Sequence, residues 1–232
     1  MEKVYRIDGM KFFAIIAIFF IHFSVFQYFQ GDPTHPLYLF FNSVSRFAVP
    51  FFFIVAGYFF HHKVQQQGWR YTQRYISKIV LMYVSWVLIY MLAIGYSYGN
   101  WQPVSILTLL YHGTAGAEIM WFLPALIWSI LAVYIAQRFK RTTTLLAIAS
   151  VLYAIGLCGQ GIQIFFETPW FSSSHQFFKN SRDPLFFALF YVTLGYQCSQ
   201  WSLQSWSQKK PQGLWLAIAL IGSLMTFAEC YF

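Results

Sequence analysis

An all-α polytopic transmembrane helix bundle is the fold class that this 232-residue sequence predicts, on three observations. Hydrophobic residues make up 58% of the chain and charged residues only 9%, with a mean hydropathy of +0.52, which no ordinary water-soluble domain of this length carries. Apolar stretches recur at about 12–29, 38–60, 77–94, 119–136, 143–158, 184–199 and 213–232, each at or near the roughly 20 residues that cross about 30 Å of hydrocarbon. Lys and Arg gather on alternate connections between them. With about seven spans, this charge bias predicts a cytoplasmic amino terminus and an outward carboxyl end.

Taken in order, the first span follows Lys3, Arg6 and Lys11 and runs into Gln30, Gly31, Asp32 and Pro33. That is a turn and not a small-residue cleavage site, so the segment reads as a retained anchor. The second span holds Arg46, and the 61–78 loop after it carries Lys63, Arg70, Arg74 and Lys78. His61 and His62, at the start of that loop, read as a solvated face. The third span ends in the outward connection 95–118, where Ile106 to His112 is too short to cross and reads as re-entrant or interfacial. Glu118 suits the positive end of the fourth helix. Arg138, Lys140 and Arg141 separate the fourth and fifth spans, and the outward connection 159–183 holds only Lys179 and Arg182. Lys209 and Lys210 precede the last span, which contains Glu229 and stops at Phe232 without a flanking anchor. Residues 1–232 thus read as one integral-membrane domain, shortened from something longer.

The net charge of +8 is explained by this topology and by contact with anionic lipid, and no nucleic-acid partner is expected. Cys158, Cys198 and Cys230 are odd in number and match no metal or redox spacing, so neither a disulfide framework nor a metal is expected.

Lys11 and His22 stand out because they are ionisable residues eleven positions apart on the first span. On an α-helix they fall within roughly 20° of one face and about 16 Å apart along the axis. Lys11 then sits at the inner edge and His22 near mid-membrane, where a polar group is costly and reads as functional. Arg46, about 21 Å from the cytoplasmic end of its own helix, is expected at a similar depth. A guanidinium beside an imidazole suits an anionic or polarised carbonyl group, since Arg supplies fixed donors and His moves a proton. The same pair also suits a structural role, or the cavity of a transporter.

Four ordered stretches resemble the membrane-bound acyltransferase type 3 family. The run Ile7 to His22, a basic residue with His eleven positions on, is similar to the family's opening signature. Ser45 to Tyr58 resembles its Arg-Phe-x-Val-Pro-Phe-Phe-Phe segment, with Ala56 where Ser is common. Trp121 to Leu126 resembles its Trp-Phe-Leu-Pro-Ala-Leu helix start. Ser181 to Phe187, running on to Gly195, resembles its Thr-Arg-Asn-Gly-Leu-Phe-Phe segment, with Asp183 and Pro184 at the Asn and Gly positions. The family has about ten spans, so the chain resembles a member without the last ones, inactive or completed by a partner chain or a second copy.

The resemblance implies a multi-pass protein of the plasma or inner membrane that moves an acyl group, usually acetyl, from acyl-CoA to a hydroxyl of a cell-envelope carbohydrate. It makes His22 the essential histidine, taking the hydroxyl proton or passing the acyl group itself. Lys11 would meet the CoA phosphates or thioester, and Arg46 would steady the developing oxyanion or the donor. A second class stays open: a transport or sensing module on the same fold, like the membrane domain of some vancomycin-resistance serine racemases that is linked to amino-acid uptake.

Overall fold

The computed structural model describes residues 5–22, 41, 43–98, 108–113, 118–160 and 183–201. The last expected span with Glu229, the turn at 30–33, Cys230 and the cations Lys3, Lys179, Arg182, Lys209 and Lys210 lie outside the described residues. Of His22, Glu118 and Cys158 only the backbone is described. Every regular element among the described residues is helical, and the chain divides into two compact units, residues 1–55 with 201–232 and residues 56–200.

In the first unit, helix α1 spans Tyr5–His22. Its Ala14 and Ala17 are buried against Ala48, with Ile18, Phe51 and Phe52 packed around them. Three alanines at one contact let two helix backbones approach closely, the habit of helices packed in lipid. The bulky residues of α1 do the opposite: Phe12, Phe13, Ile15 and Phe19 are all more than half exposed. An apolar outside around small inside residues is the surface of a helix that meets hydrocarbon or a further protein segment.

Helix α2 spans Ala48–Tyr98, and Gly68, at φ 54° and ψ −134°, breaks it in the middle. Straight, 51 residues would reach about 76 Å, more than twice the hydrocarbon thickness. The positive φ that glycine adopts freely turns the chain back instead. The Phe60 ring lies 6.0 Å from Tyr71 and 6.3 Å from Tyr75, so the two arms fold into a hairpin. Among the described residues one helical stretch, Ser43–Ala93, is long and apolar enough to cross a membrane, and Phe122–Arg138 and Thr142–Leu157 are shorter apolar helices. The 61–78 segment is therefore not a loop. It continues both helical arms and interrupts them only at Gly68.

The second unit adds α3 (Phe122–Arg138), α4 (Thr142–Gln160) and α5 (Leu189–Gln200), close to the expected 119–136, 143–158 and 184–199. Pro124 sits in the first turn of α3, where its missing N–H costs nothing. Helix α5 packs against both α3 and α4. Tyr153 of α4 stacks on Phe190 at 4.7 Å, and its hydroxyl lies 2.6 Å from that of Tyr191. In front of α5, Asp183 caps a π-helical turn, Pro184–Ala188: its Oδ1 accepts from the N–H of Leu185 at 3.0 Å and of Phe186 at 2.7 Å. Asp as cap followed by Pro at the first helical position is a standard start signal.

Candidate functional site

The three residues singled out by the sequence all belong to the first unit. His22 is the last residue of α1. Lys11, one turn after Asp8, donates to its Oδ1 at 3.0 Å, an ion pair on the helix surface. Arg46 differs from expectation. It occupies a turn just before α2 and is exposed, not buried within a helix. The physical reason is Pro50: without an N–H it cannot bond the Arg46 carbonyl, and regular helix restarts only at Ala48. The Arg46 N–H turns back to the Ser43 carbonyl at 3.3 Å instead.

The second unit holds a polar cluster where the first arm of α2, the start of α4 and the end of α5 meet. His61 and His62 are not a solvated face. His61 Nδ1 lies 2.8 Å from Ser199 Oγ, and His62 Nε2 lies 3.1 Å from the same oxygen. Both rings are partly exposed, while Ser199 is buried behind them. The edge of His61 meets Tyr196 with centroids 4.8 Å apart, and His62 meets Tyr58 at 5.3 Å. Gln65 Nε2 donates to the Tyr196 hydroxyl at 3.4 Å. Beside them, Gln197 Nε2 donates to the hydroxyls of Thr142 at 3.1 Å and Thr143 at 3.0 Å, and Thr142 donates on to Gln200 Oε1 at 3.2 Å. These bonds clamp α5 to α2 and α4. The connections at this end, around Gly68 and between α3 and α4, carry Lys63, Arg70, Arg74, Lys78, Arg138, Lys140 and Arg141.

A second polar group forms at the other end of the same helices. The π-helical turn Thr108–His112 is held by Tyr83, whose hydroxyl donates to the Leu109 carbonyl at 2.7 Å, and by Trp128 Nε1, which donates to the Leu110 carbonyl at 2.8 Å. From this turn the Tyr111 hydroxyl reaches Asp183 Oδ2 at 3.4 Å. Burial raises the Asp183 carboxyl above the ordinary carboxylate range, against the pull of the Phe186 and Leu185 N–H groups and of nearby His112. Burial, with the Asp183 charge added, pushes the Tyr111 hydroxyl up to about 12. Among the described residues no group of three His, Cys, Asp or Glu side chains is arranged to hold a metal ion.

The arrangement at the basic end sets two imidazoles on one hydroxyl, groups that can each donate or accept a proton. The sequence signal for it was the doublet His61-His62 together with the polar run Thr193, Tyr196, Gln197, Ser199 and Gln200 in an otherwise apolar helix. The profile of the acyltransferase 3 family, described as an acyltransferase domain, matches residues 4–232. The chain belongs to the acyltransferase 3 family. Two racemases are also similar to it. An amino-acid racemase of Enterococcus faecalis is 28% identical over 206 residues, covering 84% of this acyltransferase 3 chain and 28% of the racemase. A serine/alanine racemase of Enterococcus gallinarum is 28% identical over 244 residues, covering 96% of the chain and 32% of the racemase. The chain therefore spans less than a third of the length of these relatives. No solved structure matches it.

Proposed function

We propose that this acyltransferase 3 protein is a multi-pass enzyme of the plasma or inner membrane that moves an acyl group, acetyl in the first instance, from acyl-CoA to a hydroxyl of an envelope carbohydrate. The observation that carries the reading is the family match along residues 4–232. The amino terminus is cytoplasmic and the chain crosses the membrane about seven times. This follows from the alternation of Lys and Arg, and puts the His61–Ser199 end on the side where CoA is available. His22 takes the proton of the acceptor hydroxyl, Lys11 meets the donor phosphates, and Arg46 meets the donor or the developing oxyanion.

The test follows radiolabelled acetyl-CoA with the full chain in nanodiscs, beside His22→Ala. Label transfer or hydrolysis that disappears in the variant is the expected result; equal turnover in both removes His22 from the reading. A second reading has its own observation, the likeness to two racemases. On that reading the chain is a transport or sensing module for an amino acid. It needs no acyl-CoA, so saturable serine or alanine binding with inert acetyl-CoA would favour it.

A further inference from the structure

Ser199 has one hydroxyl proton and two imidazole neighbours. It therefore donates to only one of them, and when the cluster is neutral the other ring must donate its N–H to the Ser199 oxygen. A neutral imidazole carries one proton, so the state of each inner nitrogen fixes the state of the outer one. If Ser199 donates to His61 Nδ1, His61 carries its proton on Nε2, and His62, donating through Nε2, has a bare Nδ1. If the bonds run the other way, the two roles exchange. Either way the pair presents one N–H and one lone pair on the nitrogens that face away from Ser199, and neither ring has a further hydrogen bond among the described residues.

We infer that His61, Ser199 and His62 form a bifunctional proton relay that serves an acyl thioester and a hydroxyl nucleophile at the basic end of the bundle. In one stroke the bare outer nitrogen takes the proton of the attacking hydroxyl. That ring's inner proton moves to Ser199 Oγ, the Ser199 proton moves to the inner nitrogen of the other ring, and that ring releases its outer proton to the departing sulfur. A carbon–oxygen bond forms and the carbon–sulfur bond breaks. One proton is taken up and one is delivered, and the cluster stays neutral, having exchanged its two tautomers.

Three features fit this use. The ring centroids of His61 and His62 lie 5.5 Å apart, so the two rings stand side by side over the one Ser199 hydroxyl. Each ring is fixed by an aromatic edge, His61 by Tyr196 and His62 by Tyr58, which holds the geometry ready before substrate arrives. Ser199 is 7% exposed and the rings are partly open, so water is kept from the internal link while the outer nitrogens remain reachable. The relay is separate from His22 and, in the step it serves, takes the place of His22 as the base that receives the hydroxyl proton. It rests on the acyl-transfer reading, whose donor it would process.

The test measures free-thiol release from acetyl-CoA by the full chain in nanodiscs, in mixtures of light and heavy water. The wild type, His61→Ala, His62→Ala, the double variant and Ser199→Ala are compared, with thermal melting to show that each is folded. Several protons in flight give the wild type a bowed dependence of rate on deuterium fraction. Ser199→Ala should lose about 100- to 10,000-fold in rate and give a straight line, the usual worth of one acid–base group. The two histidine variants should each lose as much as the double variant, as residues acting as one unit do. A full rate in folded Ser199→Ala, the same bowed line in it as in the wild type, or additive losses at His61 and His62 would overturn the relay and leave acyl transfer standing. No thiol release from the wild type would overturn both.

Discussion

The carbonyl oxygen of Val192 on α5 lies against Gly57 on α2 with no space between them for a Cβ. A Cβ there would also meet Tyr196 N at 3.0 Å, and Val192 is fully buried, so neither backbone has an easy retreat. This contact sets the spacing that lets His61 and His62, one turn further along α2, reach Ser199 on α5. Gly57→Ala is expected to cost about 1–3 kcal/mol, the range for overpacking a closed contact. It should also weaken the His61–Ser199 bond. Thermal melting in nanodiscs checks the first part; unchanged melting would mean that the helices separate at no cost.

Lys140 has φ 56°, in the left-handed region where a side chain is disfavoured. It closes α3: its N–H donates to the Gln137 carbonyl at 3.1 Å and the Arg141 N–H to the Ala136 carbonyl at 2.8 Å, a paired C-terminal cap. Glycine is the residue this position favours. Lys140→Gly should therefore stabilise the unit by up to about 1 kcal/mol, read as a higher melting temperature. A lower one would show that the Lys140 charge matters more than its backbone.

The positions of α3 and α4 were legible in the sequence, because apolar runs bounded by charge leave few alternatives, whereas α1 already begins at Tyr5, before the expected start near 12. The hairpin at Gly68 was not. The stretch 61–78 is polar enough to read as a loop, yet Gln, Arg, Lys and Tyr sit comfortably in helix, and only one residue needed a different φ. The polar cluster was hidden for a related reason. His61 and His62 read as solvated when their helix is considered alone, and only α5 brings Ser199 to them, 137 residues away from His62. Arg46 was misplaced because a proline four residues later acts backwards along the chain, through the bond it withholds.

Asp8 and Lys11 form an exposed pair on α1, of the kind that contributes a few tenths of a kcal/mol at most. If Lys11 meets the donor, the pair keeps its ammonium in place and does little for stability. Lys11→Ala should then raise the KM for acetyl-CoA about tenfold with little change in melting temperature, and Asp8→Asn should raise it less. An equal and large loss of melting temperature in both variants would assign the pair a structural role.

Asp183 joins the cap of α5 to the turn that carries Tyr111. Burial raises its folded pKa above the ordinary 3.8, so the folded chain holds the carboxyl proton more tightly than the unfolded chain does. The stability gained from that proton is fully present below 3.8 and is lost as pH rises through the folded value. At neutral pH the carboxylate is buried at a cost. Asp183→Asn keeps an oxygen for the N–H groups of Leu185 and Phe186 and carries no charge. Its stability relative to wild type should therefore improve as pH rises from below 3.8 to neutral. Asp183→Ala loses the cap at every pH, at about 1 kcal/mol. Melting curves of both variants across this range separate the two contributions. A pH-independent gap between Asp183→Asn and wild type would mean that the carboxylate is as well solvated in the folded chain as in the unfolded one.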